Sequence, residues 1–489
     1  MALWSCAFWC LAACTTTRHS FDPDKKIAPE ILKEDYRVFR STLEHYHPGL
    51  YWFTSKDSMD YHFNWGYEQL KDSLTESGFR NILMVVANKI RCGHTTVRSS
   101  KAFSRYSDTA AAKIFPLSLK VWPDSMAVVA NLNRSDSLLK PGTLITQIDG
   151  LAASTLIDTL TNYVNSDGRS LNARYQLLSN RGSFGSLYRM VYGAKDSFAI
   201  SYKTVEGTTG STYLRAYEPR SDSNRIDSKK SPPTRNQLDP TRNLQIDTAL
   251  SSAYLVLNSF THGHRLRHFF KSSFRMIHQR SIQHLVIDVR ANGGGDVGLA
   301  RILTSYLVDH PFRLADTLYS KGLNGSPKKH VRFYPAYQAM LFWITRKKPD
   351  GLRHFGYFER HAFSPRKKDH FNGSIYFITG GNSFSATTLL LHHLHQQPNV
   401  IVVGEETGGG AYGNSAWMIP EVLLPHSRIR YRLPMFRLVM NKDALASGRG
   451  ILPDIRVSAT AASIRRGIDV KSEKVRELIL FKNTTGTGH

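Results

Sequence analysis

Apolar positions change their period three times along the chain. Leu32, Tyr36, Phe39, Leu43 and Tyr46 follow i, i+4, i+7, i+11, i+14 and form one helical stripe. Pro48-Gly49 ends that helix. A second helical pattern runs from Phe79 to Ile90 and into Cys92-Gly93-His94, so Gly93 is expected at the helix end and His94 just beyond it. From about residue 113 to 203 the runs shorten. Pro116–Val121 and Ala127–Leu132 read as strands, and Lys140-Pro141-Gly142, Thr143–Ile148 and Asp149-Gly150 read as turn, strand and turn. Residues 216–247 are polar, contain Pro232-Pro233 and lack periodicity, the pattern of a surface linker. Strands and helices then alternate. Ala253–Leu257 is a strand, and Leu266, Phe269, Phe270, Phe274 and Ile277 mark a helix. His284–Val289 and Ser374–Ile378 are strands, a helix runs from Ser385 to about Gln397, and Asn399–Gly404 is a further strand. Such strand–turn–helix units predict an α/β core with largely parallel strands.

A chain of 489 residues is too long for one core and predicts several domains. The divisions expected are a helical domain over 27–108, a β domain over 109–215, a linker over 216–247, an α/β domain over 248–475 and a polar tail over 476–489. The β domain's glycine-led strand ending in Asp149-Gly150 resembles the PDZ pattern. Lys plus Arg number 64 against 39 Asp plus Glu, a net charge of +25. The basic residues are scattered and no nucleic-acid-binding sequence pattern occurs, so no nucleic acid is expected as a partner. The four cysteines, Cys6, Cys10, Cys14 and Cys92, have neither disulfide-framework nor zinc spacing. Residues 1–13 are apolar and uncharged and end in Leu11-Ala12-Ala13-Cys14. This resembles a signal peptide with a bacterial lipoprotein box, without the usual basic start. It implies export, removal of the leader, a lipid on Cys14 and a tether up to residue 26 that holds the protein to a membrane of the cell envelope.

The candidate chemistry begins at Ser385. Ser374–Thr379 is a buried strand, Gly380-Gly381-Asn382 a turn, and Ser385-Ala386 a helix start. A hydroxyl there lies near free backbone N–H groups and the positive end of a helix dipole. An N-cap serine without chemistry reads equally well, and Ser383 is as good a cap. A second glycine turn, Asp288-Val289-Arg290-Ala291-Asn292-Gly293-Gly294-Gly295, follows the most apolar strand, and neither a phosphate loop nor a dinucleotide fingerprint is present.

These segments resemble the C-terminal-processing (tail-specific) serine peptidase family. That family has an Asp-x-Arg-x-Asn-Gly-Gly-Gly turn, then a strand leading to a serine–alanine helix start. Gly404-Glu405-Glu406-Thr407-Gly408-Gly409-Gly410 and Gly450-Ile451-Leu452-Pro453-Asp454 match its later turns. His47-Pro48-Gly49-Leu50-Tyr51 and Gly93-His94-Thr95 resemble its helical N-terminal part. The resemblance implies a catalytic domain of the ClpP/crotonase-like type, a peptide or protein substrate and no cofactor or metal.

The lysine of the tail-specific branch is missing, since Gly409-Gly410-Ala411 stands where it would lie. The chain is closer to the tricorn-core branch, which implies His94 as the base, Asp443 as the carboxylate, and the N–H groups of Gly294 and Ala386 as oxyanion donors. An ordinary histidine titrates near ~6.5, so activity is expected to fall through that pH. Of His392, His393 and His395, the first and last are three apart and could share a helix face, but no acidic partner has metal spacing and no His-Glu-x-x-His occurs. The family also contains non-catalytic, retinoid-binding relatives, so a binding protein on the same scaffold is the competing expectation.

Overall fold

A computed structural model describes residues 21–109, 113–134, 136–219, 241–441 and 448–485. Cys14, Lys442 and Asp443 lie outside them. The architecture is mixed α/β. Helix α1 (Pro29–Tyr46) starts with proline at its first turn, where the missing N–H has no partner to lose. All five stripe residues from Leu32 to Tyr46 are fully buried. Helices α2 (Lys56–Glu68) and α3 (Glu76–Lys89) pack beside it. Helix α3 stops before the expected glycine, because Arg91 takes the left-handed conformation (φ 58°) and ends the helical run.

These helices have no core of their own, which corrects the separate domain expected over 27–108. Phe39, Leu43 and Phe79 share one apolar cluster with Val422, Tyr431, Phe436 and Leu438 from the far end of the chain. Phe39 meets Tyr431 edge-on at 5.1 Å. The Asp35 carboxylate accepts the N–H groups of His426 and Ser427. A stripe seen in the sequence says only that a helix buries one face; its partner lies almost 400 residues away.

A six-stranded antiparallel sheet forms the second unit: β1 (Leu117–Val121), β2 (Met126–Asn131), β3 (Leu144–Ile148), β4 (Ser197–Lys203) and β5 (Thr209–Arg215) lie in that spatial order, and the short strand Leu151–Ala152 pairs with β3 off this path. Asp149 and Gly150 close β3 with positive φ, and the Asp149 carboxylate accepts from Ala199 N, Tyr188 Oη and Lys195 Nζ.

The third unit is a six-stranded sheet in the order β6 (Arg242–Asp247), β7 (Ser252–Leu257), β8 (His284–Asp288), β9 (Ser374–Thr379), β10 (Val400–Gly404) and β11 (Ile455–Arg456). Every pairing from β7 onward is parallel, as expected. Two boundaries differ from expectation. Residues 242–247 are not linker but an edge strand antiparallel to β7. An edge strand needs few apolar residues, and Leu244 and Ile246 supply them. Helix α4 (Ala386–Leu394) follows β9, and the tail is not a polar extension either: helix α5 runs Val470–Thr485 and buries Val475 and Ile479 against Val286, Tyr376 and Val403. Because β8, β9 and β10 run parallel, the turns after all three meet at one sheet edge.

Candidate active site

Ser385 stands between β9 and α4, with φ 57° and ψ −120°. A residue with a side chain rarely adopts this conformation, and its cost is of order 1–3 kcal/mol. The neighbours hold it there. Ser383 Oγ donates to Val289 O and accepts from Gly380 N, so it braces the turn and is not a helix cap. Phe384 N donates to Asn292 O, and Ser383 O accepts from both Gly408 N and Gly409 N. The glycine turns after β8 and β10 thus clamp the serine turn from either side. A Cβ on Gly409 would stand 2.0 Å from Thr388 Oγ1, and one on Gly294 (φ 94°) 2.7 Å from Ser385 Cβ. The Ser385 side chain makes no cap bond, which leaves the hydroxyl turned to the groove.

His94 reaches the same point from the loop after α3. Its Nε2 lies 3.1 Å from Ser385 Oγ, although 291 residues separate them. Phe384 lies against the imidazole at 4.7 Å between ring centres, and a Cβ on Gly93 would stand 2.7 Å from the Phe384 ring. Gly93 is therefore required for this close approach, not for ending a helix. Buried His47 holds the loop from behind: its Nδ1 accepts from Gly49 N, so its Nε2–H donates to Thr95 Oγ1 at 2.9 Å. Burial, with the positive charge of Arg432 in a lesser role, lowers the His94 pKa to about 3. The ring is neutral at ordinary pH and can accept a proton.

The other expected residues fall out differently. Ala386 lies at the first turn of α4, next to Ser385. The Gly294 N–H is already donated to Asn292 Oδ1 at 2.9 Å, so it is not the free donor that the resemblance implied. Gly293, beside it, lines the groove and has no atom within 4 Å of a would-be Cβ. Asp443 is outside the described residues. His392 and His393 are half-buried on α4, with pKa values lowered by desolvation to about 4 and about 3.

The sequence reading missed Asp167. It lies in a loop with no motif, and only the fold brings it to His94. Asp167 Oδ1 accepts Gly93 N at 2.7 Å, while its Oδ2 and His94 Nδ1 are both buried and without hydrogen-bond partners. Desolvation raises the Asp167 pKa to about 7. Among the described residues, Cys92, His94 and Asp167 are the group whose potential metal-ligand atoms lie within 4.8 Å of one another. Burial pushes the Cys92 thiol up to about 12, so it is a poor source of the thiolate that a metal needs.

The groove in front of Ser385 has a volume of about 1280 Å³ and is lined by the glycine turn, Tyr357, Trp417 and Arg432 among others. A strained serine at a strand-to-helix turn, with a neutral imidazole at hydrogen-bond distance and a helix start behind it, is the site of a serine hydrolase. Residues 251–457 match the model of peptidase family S41. That match, over the unit that carries Ser385, supports a serine peptidase of this family. The fold is similar to that of mature CPAF (TM-score 0.63, 13% identity, covering 94% of this chain and 99% of that one). It is equally similar to mature CPAF complexed with lactacystin (TM-score 0.63, 14% identity, 92% and 98% covered). No curated protein matches the chain in sequence.

Proposed function

We propose that this peptidase is an endopeptidase that cuts peptides or proteins of the cell envelope through an acyl-enzyme on Ser385, with His94 as the general base. The observation that carries the reading is the 3.1 Å approach of neutral His94 Nε2 to the strained Ser385 hydroxyl. As Ser385 Oγ attacks the scissile carbonyl, its proton passes to His94 Nε2. The oxyanion is met by the N–H of Ala386 and an N–H of the glycine turn, for which Gly293 is the better candidate than Gly294. His94 then protonates the leaving amine, and water repeats the sequence to release the acid.

In this scheme His94 Nδ1 carries the hydrogen, and a carboxylate should hold it. Asp167 is the described carboxylate nearest to that role; a small rotation or one bridging water would satisfy both orphaned atoms. Asp443 keeps the role that the resemblance implies as the alternative. Export and lipidation at Cys14 are part of the proposal and rest on Leu11-Ala12-Ala13-Cys14.

A fluorophosphonate probe tests the catalytic reading against a non-catalytic binding protein. The folded protein is expected to be labelled, Ser385→Ala not at all, and His94→Ala slower by about 10³-fold or more. Absence of labelling in the parent protein, or normal labelling of His94→Ala, contradicts the scheme.

A further inference from the structure

One helix is apolar all round and yet lies on the outside. Residues Tyr334–Ile344 read YPAYQAMLFWI, and Leu341 is the one buried residue in the helix. Trp343 is 75% exposed, Phe342 62%, and Phe333, just before the helix, 70%; Met340 is exposed as well. Single exposed apolar residues are ordinary, but a cluster of large aromatics on one short helix marks a surface that is covered in use.

The charge around the helix identifies the cover. Between Asp316 and Asp350 the chain has no acidic residue, while Lys328, Lys329, Arg332, Arg346 and Lys347 flank the two ends of the helix. The cations lie against the aromatics. The Arg332 guanidinium is 5.1 Å from the Phe333 ring centre, and Lys328 Nζ is 5.6 Å from that of Tyr334. At the other end, Arg346 donates to the carbonyls of Phe342, Trp343 and Thr345. Arg332 is neutralised by Glu421, but Lys328, Lys329, Arg346 and Lys347 have no ion pair among the described residues.

We infer that this helix is a docking surface for an anionic lipid bilayer. Bulky aromatics enter the headgroup boundary while Lys and Arg stay beside them at the lipid phosphates, the arrangement of an interfacial helix. Eleven residues span only ~16 Å, too short to cross a bilayer but suited to lying along it. A second copy of the chain fits worse: a two-fold pairing through this helix would set the same unpaired cations against each other. The small cleft beside the helix shares Ile419 and Arg432 with the Ser385 groove, so docking would set the active site close to the membrane surface. The inference is independent of a lipid on Cys14.

The test is vesicle co-sedimentation of the full chain carrying Cys14→Ser, so that no acyl chain contributes. The parent should sediment with vesicles of mixed phosphatidylglycerol and phosphatidylcholine, less so as salt rises, and weakly with phosphatidylcholine alone. Phe342→Ser/Trp343→Ser and, separately, Lys329→Glu/Lys347→Glu should each bind at least about tenfold more weakly, with unchanged thermal unfolding midpoints. The inference is overturned if the parent stays in the supernatant or if both double variants bind like the parent. It is also overturned if sedimentation equilibrium finds a dimer that Phe342→Ser/Trp343→Ser makes monomeric.

Discussion

The residue that most changes the expected chemistry is His94. From its type alone it should lose activity near pH ~6.5. Burial moves its pKa to about 3, so kcat/KM should show no acid limb of its own until far below that. Unfolded, the ring binds a proton near ~6.5; its stabilising contribution is therefore present above that value and is lost as pH falls toward 3. Asp167 behaves oppositely. Folded, it keeps its proton up to about pH 7, whereas an unfolded aspartate releases it near ~3.9, so its contribution is full below ~4 and lost as pH rises through 7. Asp167→Asn keeps an acceptor for Gly93 N and removes the buried charge. At pH 8 it should raise stability by up to about 4 kcal/mol, and at pH 4 by little. If ionised Asp167 positions His94, the same variant should also abolish a rise in kcat through pH 7 and leave KM unchanged. Denaturant titrations and pH–rate profiles check both statements, and Asp443→Asn serves as the comparison.

At the scale of the element, the active-site turns are braced by α5, the helix that the polar sequence disguised. Lys471, near its start, donates to Glu405 Oε2 at 2.7 Å and to Thr379 O at 2.8 Å, and so joins the ends of β9 and β10 from below. Asp469 and Asp288 together hold Arg290 of the glycine turn. Lys471 and Glu405 are almost wholly buried, and a broken buried pair leaves an uncompensated charge. Lys471→Met should therefore cost about 3 kcal/mol, less than a fully isolated carboxylate would, because Lys120 stays 3.4 Å from Glu405. Glu405→Gln in the same background should recover much of the loss, as urea unfolding would reveal.

At the scale of the molecule, catalysis depends on closure between parts far apart in the chain. The loop with His94 is anchored on helices whose core includes the strands around Tyr431 and Phe436, and those strands return the chain to the six-stranded sheet. Ser385 and His94 meet because that core closes. The proposed attachment to the cell envelope also belongs to this scale. Cys14→Ser should shift much of the protein from the membrane to the soluble fraction or leave an uncleaved precursor. Intact-mass analysis of the mature N-terminus checks it, and an unmodified N-terminus on membrane-bound parent protein contradicts it. The exposed helix at Tyr334–Ile344 predicts that some membrane affinity survives the change.

The sequence alone determined what local patterns encode. The stripe of α1, the parallel strands with their glycine turns, the serine at a helix start and the Gly-His-Thr loop were all legible, because hydrophobic period and turn chemistry act over a few residues. It could not determine what depends on burial and long-range contact. The shared core of the N-terminal helices, the edge strand at 242–247 and the buried face of α5 follow from partners distant in the chain. Asp167 shows why most sharply. No spacing links it to His94, and its altered ionisation comes from desolvation, a property of the packed surroundings and not of the residue. Gly294 is the opposite case: its N–H is taken by Asn292 two residues earlier, a local turn contact that the resemblance overlooked.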